Sequence, residues 1–206
     1  MVLASCQAGN SVMPDTPVGG TDDGPQHGQG MFVSWHADPG LPGTLTDKLS
    51  VSEASFQLDH FQIVADSGTS MHSRYLVAWT AAMTPQQEVF HDATAGVYSK
   101  ASLDLGGSLV NYAYQINGVW NDGKGPRPFH IVDRLPLTIL IDCNKTLTAA
   151  GSAEIVIRLD LSDPLNVVRF KDLEDESNPI EISVDENPLA LQAFRDRLSH
   201  GFNTDD

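Results

Sequence analysis

Asp66-Ser67-Gly68-Thr69-Ser70, preceded by the apolar Ile63-Val64-Ala65, is the sharpest chemical motif in the chain. A carboxylate on a glycine turn behind an apolar strand can share a proton with a second such carboxylate and activate a water between them. That chemistry needs two copies of the loop. The sequence holds one, so the second would come from another copy of the chain. Backbone chemistry alone also selects these residues, because Asp, Ser and Gly are favoured wherever a strand turns.

Seven histidines, His27, His36, His60, His72, His91, His130 and His200, are a second source of chemistry. None stands at His-x-His, His-x-x-His or His-x-x-x-His spacing, so a metal site would have to be assembled from separate strands. His60 and His91, with Asp59 and Asp92 beside them, are the candidate ligands, and imidazole with carboxylate suits Cu(II) or Zn(II). Scattered histidines are also ordinary half-buried polar residues. There is no Gly-x-Ser-x-Gly elbow and no glycine loop that opens a helix to cradle phosphate. No catalytic residue is assigned, no cofactor is required, and the chain reads as non-enzymatic.

Cys6 and Cys143 are the only cysteines, which excludes a disulfide-dense scaffold and a Cys-rich zinc site. Leu3-Ala4-Ser5-Cys6 has the order of a bacterial lipobox, an aliphatic residue and two small ones before a lipidated cysteine. Gln7 to Gly30 follows with six Gly and three Pro and few large apolar side chains, the composition of a flexible tether. Residues 1–6 therefore read as the end of a signal, 7–30 as a leash and 31–206 as one folded domain. Twelve Lys and Arg against 27 Asp and Glu give a formal net charge of −15, which repels phosphate backbones and argues against nucleic acid. No apolar run approaches the roughly 18 residues of a membrane helix.

The elements that must position these groups are strands. In Ala95 to Leu105, Val97, Ser99, Ala101, Leu103 and Leu105 alternate with Tyr98, Lys100, Ser102 and Asp104, the period of a half-buried strand with the first set inside. Met31–His36, Arg74–Trp79, Glu88–His91 and Pro128–Val132 read as further strands. In Lys48–Val64 the apolar face swaps near Asp59-His60, which predicts a bulge or two shorter strands. Asn117-Gly118 predicts a type I′ hairpin turn between Tyr114-Gln115-Ile116 and Val119-Trp120. Leu137, Ile139, Ile141 and Cys143 share one face, so Cys143 reads as a small buried hydrophobe. Ile155, Ile157, Leu159 and Leu161 alternate in the same way, and Ile180, Ile182 and Val184 suggest a late edge strand. Asn187-Pro188 then predicts a helix start, Leu191, Phe194 and Leu198 its apolar face, and Gly201 its end, giving a helix over 188–200. About nine strands with turns between them predict an all-β sandwich or barrel. Tyr112, Tyr114, Trp120 and Phe129 are a candidate aromatic platform for sugars.

The lipobox, the tether, the strand Ala54–Val64, Ala95-Gly96-Val97-Tyr98 and the late pair Ile139–Cys143 and Val156–Leu161 together resemble a group of bacterial lipoproteins of unknown function. That group is built on an immunoglobulin- or transthyretin-like antiparallel β-sandwich, and the resemblance covers about residues 1–172. It implies that fold, here with a short C-terminal helix. It also implies attachment to a membrane through lipid on Cys6 and a place in the bacterial cell envelope, at an outer membrane facing the periplasm or the cell surface. The function expected is a non-enzymatic binding or structural module. Two alternatives stand beside it. A family of periplasmic copper-binding sandwiches has a similar strand order and would make the chain a copper- or zinc-binding protein. The Asp66-Ser67-Gly68 loop resembles the signature of aspartic proteases, whose half-size members act as dimers.

Overall fold

The computed structural model describes residues 30–108, 110–121, 123, 125–173 and 178–205. Cys6, His27 and positions 7–29 of the expected tether lie outside the described residues. The strands are β1 (Gly30–Ala37), β2 (Gly43–Thr46), β3 (Leu49–Ala65), β4 (Gly68–Trp79), β5 (Glu88–Phe90), β6 (Gly96–Leu105), β7 (Tyr114–Asn121), β8 (Pro126–Asp133), β9 (Leu137–Leu147), β10 (Ser152–Leu159), β11 (Ile180–Ile182) and β12 (Phe202–Thr204). Among the described residues there are also two α-helices, α1 (Ser162–Asn166) and α2 (Pro188–Gly201), and a 3-10 turn at Phe170–Asp172. One sheet runs β12-β10-β1-β5; the other runs β11-β8-β7-β3-β6-β9, with β2 and β4 also paired to β3. The fold is an all-β sandwich with a short C-terminal helix. Most pairings are antiparallel, but β1 lies parallel to β10 along its whole length, and β11 lies parallel to β8.

The larger sheet is built around β3. Its 17 residues are too long for one partner, and one edge is divided between two strands. Leu49–Phe56 pair with β7, and Leu58–Ala65 pair with β6. Gln57 is the fork: its N–H donates to the Ala113 carbonyl (2.8 Å), and its own carbonyl accepts from Gly106 N–H (3.0 Å). The register against β6 shifts between Leu58 and His60, at the place where the apolar pattern swaps. Phe56 and Leu58 before the shift and Phe61 and Ile63 after it are all buried, which is what a bulge accomplishes for a strand that must keep one face dry.

Two local readings of the sequence are corrected. Asn117-Gly118 is not a turn; β7 runs straight through it, paired with β3 on one side and β8 on the other. A Cβ at Gly118 would collide with the Ser50 carbonyl oxygen and the Phe129 ring, so glycine is there for close approach. The chain reverses between Asn121 and Pro126 instead, through Gly123 and Gly125, both at positive φ. In β6 the alternation breaks near Ser99, where the registers against both β3 and β9 shift. Tyr98 is therefore buried with Ala101, Leu103 and Leu105, while Val97, expected inside, is 42% exposed.

The late elements fall where the pattern places them, except that β11 stops at Ile182 and Val184, expected to continue it, is exposed. β11 is an edge strand on β8, and Leu191, Phe194 and Leu198 bury one face of α2. Asn187 precedes the helix in left-handed conformation and makes no side-chain cap; its amide reaches back to the Glu181 carbonyl (2.7 Å). Phe194 packs on Tyr114, and Phe202 packs edge-on to Phe56, so the helix and β12 close the end of the core. Cys143 is buried and donates its thiol to the Tyr98 carbonyl.

Candidate functional site

A groove of about 600 Å³ is built by three separate segments. The first is the turn into β3. Thr46 Oγ1 accepts from the N–H groups of Lys48 and Leu49 (3.2 and 3.1 Å), a short side-chain turn that fixes Lys48 beside the buried Leu49. The second is the far end of the β7–β8 pair, where Trp120 and Arg127 are cross-strand neighbours and the guanidinium lies 5.9 Å from the indole centroid. The third is the passage from α1 through the 3-10 turn. Val168 and Phe170 point inward there, and Arg169 and Lys171 are left outside.

Phe170 anchors that passage. Its ring lies 4.9 Å from Phe129 and stacks on Trp120 at 5.9 Å. Leu165 and Val168 are buried beside it. Burial of these apolar side chains, worth roughly 1.5–3 kcal/mol each, holds the segment against the sheet and turns its cations toward the groove. Four of the chain's 12 Lys and Arg thus line one concavity, and among the described residues that line it there is no Asp or Glu. Among the described residues, Lys48, Arg169 and Lys171 have no carboxylate within ion-pair distance.

The residues singled out in the sequence stand elsewhere. Asp59 sits at the β3 bulge, where its carboxylate accepts from the Ser108 N–H (3.3 Å) and hydroxyl. The neighbouring His60 is exposed and lies opposite Asp104 of β6. His91 and Asp92 follow β5, on the other sheet. The fold does not gather the four into one site, and no group of three or more His, Cys, Asp or Glu that could hold a metal occurs among the described residues. Two other histidines meet carboxylates. His72 Nδ1 lies 3.0 Å from Glu88, and His130 Nδ1 lies 2.9 Å from Glu181. His130 belongs to a polar row on the outside of the larger sheet, next to Asn117, whose amide donates to Glu53 (2.9 Å) beside Gln115 (2.8 Å).

Asp66-Ser67 is the two-residue turn between β3 and β4. The Asp66 carboxylate accepts from Val97 N–H (3.0 Å), its backbone N–H donates to the Val97 carbonyl (3.1 Å), and Ser67 shares a hydrogen bond with Thr94 (2.8 Å). The motif therefore fastens the start of β6. Of the four aromatics considered as a platform, Tyr114 and Phe129 are in the core. Burial, with the Asp133 carboxylate beside it, pushes the Tyr114 phenol well above its ordinary range. Trp120 alone of the four lines the groove, already engaged by Phe170 and Arg127.

Sequence reasoning missed Lys48, Arg127, Arg169 and Lys171. The one signal was the Val168–Lys171 alternation of apolar and cationic residues. No helix among the described residues is long and apolar enough to cross a membrane. Comparison with protein-family models, with curated proteins and with solved structures gives no match to this chain.

Proposed function

We propose that this chain is a non-enzymatic binding module, held at a bacterial cell envelope by lipid on Cys6, and that it takes its ligand in the groove between the β2–β3 turn, the β7–β8 pair and the α1 passage. One observation carries the binding reading: a concavity that collects a third of the chain's cations around an aromatic wall. Grouping like charges costs free energy in the empty protein, and ligand binding is a physical reason for a fold to sustain that arrangement. Fixed Thr46 hydrogen bonds and the stacked Phe170 supply the preformed walls that a binding site needs. The Leu3-Ala4-Ser5-Cys6 order and the Gly- and Pro-rich stretch after it support the anchor.

Asn166 is exposed on the groove wall, so Asn166→Trp fills the groove without touching the core. A thermal-shift panel of small anions, neutral sugars and short peptides is expected to contain a class that raises Tm of the wild type and leaves Asn166→Trp unmoved. A panel with no such class contradicts the binding reading. The anchor is read separately: the mass of the protein from a bacterial host should carry acyl chains at Cys6 that Cys6→Ser lacks.

A further inference from the structure

We infer that the ligand of this groove is a small, soluble organic anion bearing two or more phosphate or carboxylate groups; this rests on the groove being the binding site. Lys48 approaches from the turn into β3, and Arg169 and Lys171 from the passage after α1, so the cations reach the groove from separate segments and one monovalent group cannot meet them all. Several anionic groups on one frame can. The Arg169 guanidinium offers a planar fork that matches carboxylate and phosphate oxygens, and the Lys48 and Lys171 ammonium groups offer point charges beside it.

The walls also say what the frame is. Leu49, Leu165, Val168 and Phe170 form the floor of the groove and are buried, so the ligand rests on a layer that offers no hydrogen bonds from its side chains. A carbon frame with charges at its periphery fits that division. A long nucleic acid does not, because beyond the groove it would meet a surface whose net charge is −15. At physiological salt the reach of that field is about 8 Å, so a small anion inside the groove is governed by the cations that touch it.

The test is calorimetric titration of the full chain with inorganic pyrophosphate and with citrate, and sedimentation with phosphatidylglycerol vesicles. Pyrophosphate or citrate should bind at one site, and Arg169→Gln and Lys171→Gln should each weaken it about tenfold, the loss expected when a charged hydrogen-bonding partner is removed. Lys100→Gln, on β6 and paired with Asp142, should leave affinity unchanged. Both substituted groove residues are exposed, and unchanged urea midpoints check that the variants are folded. The inference is overturned if neither anion binds, if the groove variants bind as the wild type does, or if only the vesicles bind. A neutral compound whose Tm effect is lost in Asn166→Trp would overturn this inference while leaving the binding reading intact.

Discussion

Arg195, on α2, donates to the carboxylate of Asp133 at the end of β8, and the Asp133 side chain is wholly buried. The same guanidinium also donates to the Leu135 carbonyl (3.2 Å) and to that of Pro136, while the other Asp133 oxygen accepts from Leu135 N–H (2.9 Å). One ion pair therefore locks the C-terminal helix to the larger sheet and fixes the turn between β8 and β9. Arg195→Met should cost about 3–5 kcal/mol, because it leaves a buried carboxylate without its cation. Adding Asp133→Asn should recover part of that loss. Equilibrium urea unfolding of the two variants measures both steps, and equal losses in the single and double variants would show that the charge of Asp133 is not what Arg195 compensates.

Gly118 gives a sharper local test, because its neighbours are backbone and ring atoms. Gly118→Ala should destabilise the chain by about 1–3 kcal/mol, the range for forcing atoms into a packed site. Gly40 has nothing within 4 Å of the position a Cβ would take, so Gly40→Ala should be within about 0.5 kcal/mol of the wild type. Thermal unfolding of both variants compares them directly. If the two substitutions have the same effect, close approach is not the reason for glycine at position 118.

That residue also explains what was legible in the sequence. Alternation placed β9 and β10 well, and the helical spacing of Leu191, Phe194 and Leu198 placed α2, because each buried face obeys one period; in β3 the swap of the apolar face at Asp59-His60 marked the register shift. Asn117-Gly118 misled because a dipeptide records permissive backbone geometry, and the Ser50 carbonyl and Phe129 ring that exclude a side chain come from the two neighbouring strands, β3 and β8. Tyr98 and Val97 exchanged faces for a similar reason: the bulge at Ser99 is a relation among β3, β6 and β9, and no single strand encodes it. The groove was least legible of all. Positions 48, 127, 169 and 171 share no spacing, and an overall charge of −15 hides a local cationic cluster.

Tyr75 bears on the response to alkali. Its hydroxyl donates to the Gln86 carbonyl (2.7 Å), and burial, with the Glu88 charge nearby, pushes its phenol from 10.0 up to about 12. The folded chain thus holds this proton more tightly than the unfolded one. The resulting stability is full below pH 10 and is lost as the pH rises from 10 towards 12. Tyr75→Phe should lower stability at neutral pH, through the lost hydrogen bond, and make its decline above about pH 10 shallower. Urea midpoints measured from about pH 8 to 11 read both effects, and a variant with the wild-type slope would remove Tyr75 as a cause.

The most direct measurement of the central claim is amide hydrogen exchange of the full chain with and without saturating pyrophosphate. Binding in the groove predicts slower exchange at Lys48 and Leu49, at Trp120 and Arg127, and from Leu165 to Lys171, with the rest unchanged. Protection at His130 and Glu181–Glu186 instead, around the smaller cavity of about 330 Å³ on β8 and β11, would place the ligand elsewhere and contradict the account. Unchanged exchange throughout would contradict it equally.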